Sequence, residues 1–317
     1  MEFQLNLTSI PFDLDYTLDC GQVFRWRREN RWWVGVVDGR VLKLKQEEDT
    51  LKVKSNSDDA DEKFIRRYLR LDDPLPDILT SINKDQMMAG AITRLNGLRL
   101  VKQNPWECTI SFICATYKNI NAIQQMMSNI CRLLGRRIEF EGNTHYSFPE
   151  PEAVAGADRQ LLKNCGLGYR TRFVIEAAER VVSREVVLED LESTNYETAK
   201  RTLLAHPRGR KILLGVGPKV ADCILLFSLE KLEAFPIDVW IRRAVLKFYP
   251  HLFGSGSIRH LVSSLKNSSI GPAEYQAVSQ TMRSYFGEYA GYAQEYLYHY
   301  TRVSEPRPST SESLRQL

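Results

Sequence analysis

The residues best placed for chemistry lie between positions 213 and 238. Leu213-Leu214-Gly215-Val216-Gly217-Pro218-Lys219-Val220-Ala221-Asp222-Cys223 runs from a glycine turn into a periodic apolar helix. Proline suits the first turn of a helix, where its missing N–H has no partner to lose. Gly-Val-Gly ahead of it lets the backbone approach another surface closely. The unpaired N–H groups at the helix start suit a phosphate oxygen. A helix-hairpin-helix over about residues 205–230 would then clamp one DNA strand without reading its sequence. A glycine turn between two packed helices fits the same pattern.

Lys219 lies within the first turn of that helix, where the helix dipole disfavours a positive charge. A neutral lysine amine attacks electrophilic carbon. A surface lysine beside phosphate is the other reading. Asp238, in Phe235-Pro236-Ile237-Asp238-Val239-Trp240, can N-cap the next helix. From the same place it can orient a sugar or stabilise positive charge developing on it.

These groups need a scaffold, and 317 residues with 43% hydrophobic content supply a real core and room for two domains. The first ninety or so residues carry aromatic and β-branched runs: Phe24-Arg25-Trp26, Trp32 to Val37 and Val41 to Leu44. Turns at Glu29-Asn30 and Asp38-Gly39 separate them and predict hairpins. Thr50 to Lys54 alternates as a further strand, and Phe64 to Leu69 reads as a short helix. From about residue 77 helical periodicity takes over, near 78–91, 105–115, 119–134, 151–163, 172–181 and 194–204, then 218–230, 237–248, 256–265, 272–286 and 289–300. The expected fold is α+β: a small N-terminal antiparallel sheet domain (1–90) packed on an all-helical body (91–303), with a polar tail (304–317).

The formal charge is only +4, from 43 basic and 39 acidic residues. Nucleic-acid binding therefore needs a local basic face. Cysteines at 20, 108, 114, 131, 165 and 223 form no CxxC pair, which argues against zinc or a disulfide scaffold. Free thiols fit a reducing compartment. The start MEFQLNLTSI lacks the features of a signal peptide, and no apolar run reaches the length of a membrane span. A soluble intracellular protein is the expectation, in the cytoplasm or nucleoid of a prokaryote or the nucleus of a eukaryote.

The run Gly215 to Cys223 followed by Phe235 to Val239 closely resembles the helix-hairpin-helix DNA glycosylases, and more narrowly the 8-oxoguanine DNA glycosylase/lyase family. The similarity extends from about Leu18 to Tyr298. It includes Cys20-Gly21-Gln22-Val23-Phe24-Arg25-Trp26, Glu107-Cys108 with Ser111-Phe112-Ile113-Cys114, Gly166-Leu167-Gly168-Tyr169-Arg170, and Gly287 with Tyr289 to Gln294. The resemblance implies Lys219 as catalytic nucleophile and Asp238 as its partner. It implies that the Gly21 carbonyl accepts the N7 hydrogen that distinguishes 8-oxoguanine from guanine. It implies that Gln294 reads the Watson–Crick edge and that Cys223 and Tyr298 sandwich the extruded base. Phenylalanine stands in the family where this chain has Tyr298. Tyr169 matches an aromatic wedge, and Gly215 and Gly217 match the DNA-contacting hairpin.

The resemblance also carries departures. Of the family's three readers of the opposite base only Arg170 remains, and Tyr117 and Ala122 hold the other positions. Trp240 replaces a phosphate-side histidine but keeps a place at the DNA. His206-Pro207-Arg208-Gly209-Arg210 looks like an insertion, and these features resemble the bacterial and archaeal branch. No four-cysteine iron–sulfur loop follows the core. The implied activity is excision of 8-oxoguanine from duplex DNA by a monomer, through a Lys219 Schiff base and β-elimination. No cofactor is required, and a structural cation is implied at the carbonyls of Lys211, Leu213 and Val216. A monofunctional glycosylase for another lesion, or a non-enzymatic DNA-binding protein, are the alternatives.

Overall fold

The computed structural model describes residues 1–204, 213–254, 256 and 270–304. The chain forms two compact units, Met1–Leu75 with Gly97–Lys231, and Pro76–Asn96 with Leu232–Leu317.

The first unit begins with strand β1 (Glu2–Asn6) and helix α1 (Leu14–Asp19). Then come β2 (Trp26–Glu29), β3 (Trp32–Val37), β4 (Arg40–Glu47), β5 (Thr50–Ser55) and helix α2 (Glu62–Tyr68). The strands form one antiparallel sheet in the order β1-β5-β4-β3-β2. Turns of two residues close its hairpins, since Glu29 pairs with Trp32, Val37 with Arg40, and Glu47 with Thr50. Alternation sends Leu51 and Val53 of β5 inward. They meet Leu5, Leu44, Ile65 and Tyr68 in one apolar cluster. Strand β1 was not anticipated: its two apolar residues, Phe3 and Leu5, are too few to announce a strand, and pairing with Val53 and Leu51 decides it.

The helices α3 (Leu75–Ile82) and α4 (Gln86–Arg94) come next along the chain. The single helix expected over 78–91 is broken here because Asp85 caps α4, accepting from the Met88 N–H at 2.9 Å. The first unit resumes with α5 (Pro105–Ala115) and α6 (Ile120–Leu134), then strands β6 (Arg137–Phe140) and β7 (Asn143–Tyr146). That two-stranded ribbon lies inside the helical stretch. Its Ile138 packs with Val34, Val36 and Val41 of the sheet. The helix expected over 151–163 is divided into α7 (Pro151–Ala155) and α8 (Arg159–Leu162). Asp158 caps the second piece. Helices α9 (Arg170–Val182), α10 (Tyr196–Leu204) and α11 (Pro218–Ser228) complete the unit.

The second unit holds α3 and α4 with α12 (Val239–Phe248), α13 (Pro272–Phe286) and α14 (Ala290–Ser304). Helix α14 is buried on most of its surface and packs against α4 and α12. The Asp85 carboxylate accepts hydroxyls from Tyr249 at 3.4 Å and Tyr285 at 3.2 Å. The helix expected over 256–265, the His206–Arg210 insertion and the tail after Ser304 lie outside the described residues. Among the described residues no helix is long and apolar enough to cross a membrane.

Candidate active site

In the first unit the site is built around the start of α11. The Val216 N–H donates to the Leu213 carbonyl at 3.3 Å and closes a turn. Gly215 has φ +83°, and a Cβ there would come within 2.8 Å of the Phe173 ring. Both facts require glycine. Gly217 differs: it is extended backbone at the N-cap, makes no side-chain cap, and a Cβ on it would meet nothing within 4 Å. The N-cap of α11 thus supplies no side-chain acceptor of its own, and the space beside the Gly217 Cα is open, a setting suited to an anionic oxygen.

Lys219 is the second residue of α11 and half-buried. Cys223 follows one turn later on the same face and is buried. The fold fixes this helix through its neighbour Asp222, which is fully buried. Lys200 of α10 donates to Asp222 at 2.9 Å, and Tyr196 donates its hydroxyl to the other carboxylate oxygen at 2.7 Å. Lys200 also reaches the Tyr196 oxygen at 2.7 Å.

Gly21 sits at φ +102°, in the region that favours glycine. Its neighbour Gln22 holds the turn. The Gln22 amide donates to the carbonyls of Thr17 and Arg99, both at 2.8 Å, and accepts the Val101 N–H at 2.8 Å. The Gln22 carbonyl accepts from the Gln103 side chain at 2.8 Å. The direction of the backbone at Gly21 is therefore set by a buried network.

Tyr169 is 58% exposed, braced edge-on by Phe173 at 5.7 Å. Arg170, which the resemblance implies as a reader of the opposite base, is 3% exposed in this structure. Its guanidinium donates to the Thr116 carbonyl and lies 4.4 Å from the Tyr169 ring centroid. Thr116 is the C-cap of α5, where a cation meets the negative end of the helix dipole. Arg170 thus buttresses Tyr169 in this structure. Tyr117, beside it, is 66% exposed.

In the second unit Asp238 caps α12, accepting the Ile241 N–H at 2.8 Å. Trp240 is half-buried, with the Arg243 guanidinium 5.5 Å from its ring. Gln294 of α14 is buried, and its side-chain carbonyl has no hydrogen-bond partner among the described residues. Tyr298 lies one turn later on the same face, with Arg302 5.8 Å from its ring. A buried acceptor without a partner costs about 1–3 kcal/mol.

Among the described residues no group of three His, Cys, Asp or Glu side chains is placed to hold a metal ion. Of the carbonyls implied for a cation, those of Leu213 and Val216 belong to the turn before α11, and Lys211 lies outside the described residues. None of the six cysteines forms a disulfide, and all are buried. Burial pushes the thiols of Cys114 and Cys131 up to about 12, which keeps them protonated.

Residues 4–109 match the family described as 8-oxoguanine DNA glycosylase, N-terminal domain, and residues 110–252 match the HhH-GPD superfamily of base excision DNA repair proteins. The solved structure of MBOgg1 in complex with a low-affinity DNA ligand is 30% identical, covers 96% of both chains and superposes with a TM-score of 0.82. The chain belongs to the OGG1-like helix-hairpin-helix DNA glycosylase family. The glycosylase is also similar to a probable N-glycosylase/DNA lyase of Methanothermobacter thermautotrophicus, with 28% identity over 92% of this chain and 94% of that protein. The apo 8-oxoguanine glycosylase/lyase of Clostridium acetobutylicum shares 26% identity and a TM-score of 0.79, covering 91% of this chain and 93% of that one. These prokaryotic relatives accord with the branch suggested by the departures at Tyr117 and Ala122. Membership makes the protein a DNA repair glycosylase that interacts with duplex DNA.

Sequence reasoning about this glycosylase missed Gln22, Lys200 and Asp222 as positioning residues. Gln22 had a weak signal, a polar residue beside the apolar run Val23-Phe24. Lys200 and Asp222 had none, because 22 positions separate them and only the packing of α10 on α11 makes them partners.

Proposed function

We propose that this glycosylase excises 8-oxoguanine from duplex DNA and then cleaves the strand by β-elimination through a Schiff base on Lys219. The observation that carries the reading is Lys219 at the second position of α11, directly after an uncapped glycine turn, in a chain of this family. The lysine amine attacks C1′ of the deoxyribose, and the bond to the base breaks with its electron pair leaving on the base. Asp238 favours the positive charge that develops on the sugar. The sugar ring then opens, the C1′–O4′ bond breaking with its electrons on O4′, which takes up the proton the amine loses, to give the iminium; loss of a C2′ proton from it breaks the C3′–O3′ bond and expels the 3′ phosphate.

Recognition follows the same residues. The Gly21 carbonyl accepts the N7 hydrogen that guanine lacks. Gln294 pairs with the Watson–Crick edge, and its unpartnered carbonyl is an acceptor awaiting a base donor. Cys223 and Tyr298 flank the flipped base. Exposed Tyr169 fills the gap in the stack, and the open N-terminus of α11 with Gly215 and Gly217 takes a backbone phosphate. Trp240 lies beside the strand. A cation at Lys211, Leu213 and Val216 would steady the hairpin, and no step passes through it. The protein acts as a monomer.

Borohydride trapping on a duplex with one 8-oxoguanine tests this reading. Wild type is expected to give a covalent adduct and Lys219→Gln none. Base release by both proteins without an adduct would replace it with a monofunctional glycosylase. Neither release nor adduct would mean another lesion or a binding module.

A further inference from the structure

The segment from Leu98 to Gln103 belongs to no helix or strand, yet Leu98, Arg99, Leu100, Val101 and Gln103 are all buried. Connecting segments ordinarily run over the surface, because a buried one must find partners for its backbone groups. Here the partners come from two directions. On the side of the Gly21 turn, the Arg99 N–H donates to the Thr17 hydroxyl at 3.1 Å. The Gln22 amide donates to the Arg99 carbonyl and accepts the Val101 N–H, both at 2.8 Å. On the side of the helix that carries Lys219, the Gln103 N–H donates to the Phe227 carbonyl at 2.8 Å, in the last turn of α11.

Gln103 closes this frame. Its backbone holds α11, while its side-chain amide donates to the Gln22 carbonyl at 2.8 Å. One residue therefore bridges the turn of Gly21 and the helix of Lys219. A row of rings runs alongside: Phe24 meets Phe112 edge-on at 5.5 Å, and Phe112 stacks on Phe227 at 5.5 Å. Ring packing sets the spacing of these elements, but only directional hydrogen bonds set the angle of a peptide group. The Gly21 carbonyl shares a peptide plane with the Gln22 nitrogen, and glycine has no Cβ to restrict its own torsions. The angle of that plane thus depends on how firmly Gln22 is held, and at the Gln22 carbonyl the hold is Gln103.

We propose that Gln103 is a positioning residue for lesion recognition: acting through Gln22, it fixes the Gly21 carbonyl relative to the helix of Lys219, and so controls acceptance of a base with a hydrogen on N7. The proposal rests on the reading of Gly21 under the proposed function. The bond from Gln103 to Phe227 is made by the backbone, so replacing the side chain leaves α11 and the Lys219 amine in place. The effect is confined to steps in which a base is held.

Two reactions of the full chain separate those steps. One is single-turnover base release from a duplex with one 8-oxoguanine. The other is borohydride trapping on a duplex with an abasic site, where Gly21 has no base to hold. Gln103→Met, apolar and of similar length, is expected to slow release by at least about tenfold and to change trapping by less than about twofold. Gln103→Asn keeps the amide but draws it back by one methylene, and it is expected to show the same split, which covers the case of a Met variant that fails to fold. Gln46→Met is the control. Gln46 also bridges two backbone groups of the first unit, the Leu14 N–H at 2.8 Å and the Phe12 carbonyl at 2.9 Å, and its variant is expected to release 8-oxoguanine as wild type does. The proposal is overturned if the Gln103 variants release at the wild-type rate, if release and trapping fall together, or if Gln46→Met slows release as much. Wild type that releases no 8-oxoguanine would remove the reading of Gly21 itself, and the proposal with it.

Discussion

Asp222 and Gln294 are both buried polar residues on helices, and the fold treats them in opposite ways. Asp222 receives Lys200 at 2.9 Å and Tyr196 at 2.7 Å. Gln294 leaves its carbonyl without a partner. A satisfied buried carboxylate ties α10 to α11 and sets the helix that carries Lys219. An unsatisfied buried amide adds no hydrogen bond to the fold, and in the proposed function a bound base supplies its missing donor.

The largest test of that contrast is Asp222→Ala. It strands Lys200 in the interior, and the loss should be about 3–5 kcal/mol in urea unfolding. A loss within about 0.5 kcal/mol, as at an ordinary surface site, would show that the pair holds nothing. The two hairpin glycines give a smaller contrast. Gly215→Ala should cost at least about 1–2 kcal/mol, from its positive φ alone, with the Phe173 contact added. Gly217→Ala meets open space and should cost less than about 1 kcal/mol, while duplex affinity falls. Equal stability losses in the two variants would remove the distinction between a glycine kept for folding and one kept for approach.

Gln294→Leu should leave stability unchanged or raise it slightly, since it removes a penalty of about 1–3 kcal/mol, while single-turnover release of 8-oxoguanine slows. A large destabilisation would make Gln294 a second Asp222. The smallest effect concerns acid. Burial opposes ionisation of Glu230, but Arg70 and Lys102 outweigh it and hold its pKa below the usual carboxylate value. Its contribution is present above the unfolded pKa of about 4.3 and is lost as pH falls through the folded value. At Glu107 burial outweighs Arg25 and raises the pKa. That contribution is present below the unfolded pKa and lost as pH rises through the folded one. Stability profiles of Glu230→Gln and Glu107→Gln should therefore differ from wild type with opposite slopes. Parallel slopes would mean that both carboxylates are governed by the same balance.

Much of the scaffold was legible because its causes are local. Asp38-Gly39 between β-branched runs marked a hairpin, and period-two alternation marked β5. Pro218 after Gly217 marked the start of α11, and Asp238 announced the cap that α12 shows. Strand β1 was not legible because its partner β5 is distant in the chain, and the ribbon of β6 and β7, though a local hairpin turning at Glu141-Gly142, buries only one residue on each strand and so carries too little alternation to announce itself. The division into units was hidden because it too depends on distant partners: residues 76–96 fall between two parts of the first unit and pack in the second.

By itself the sequence determined the elements with strong local signals, such as the hairpin at Asp38-Gly39 and the starts of α11 and α12, and which residue types stand at the start of α11, at the Gly21 turn and on α14. Propensity, capping and periodicity act over a few residues, so one chain contains them. Tertiary structure alone decided which buried polar groups found partners. It turned Arg170 inward to the Thr116 carbonyl, joined Lys200 to Asp222, and left the Gln294 carbonyl without a hydrogen-bond partner among the described residues. Burial and partnership are properties of pairs brought together in space, and no local pattern encodes them.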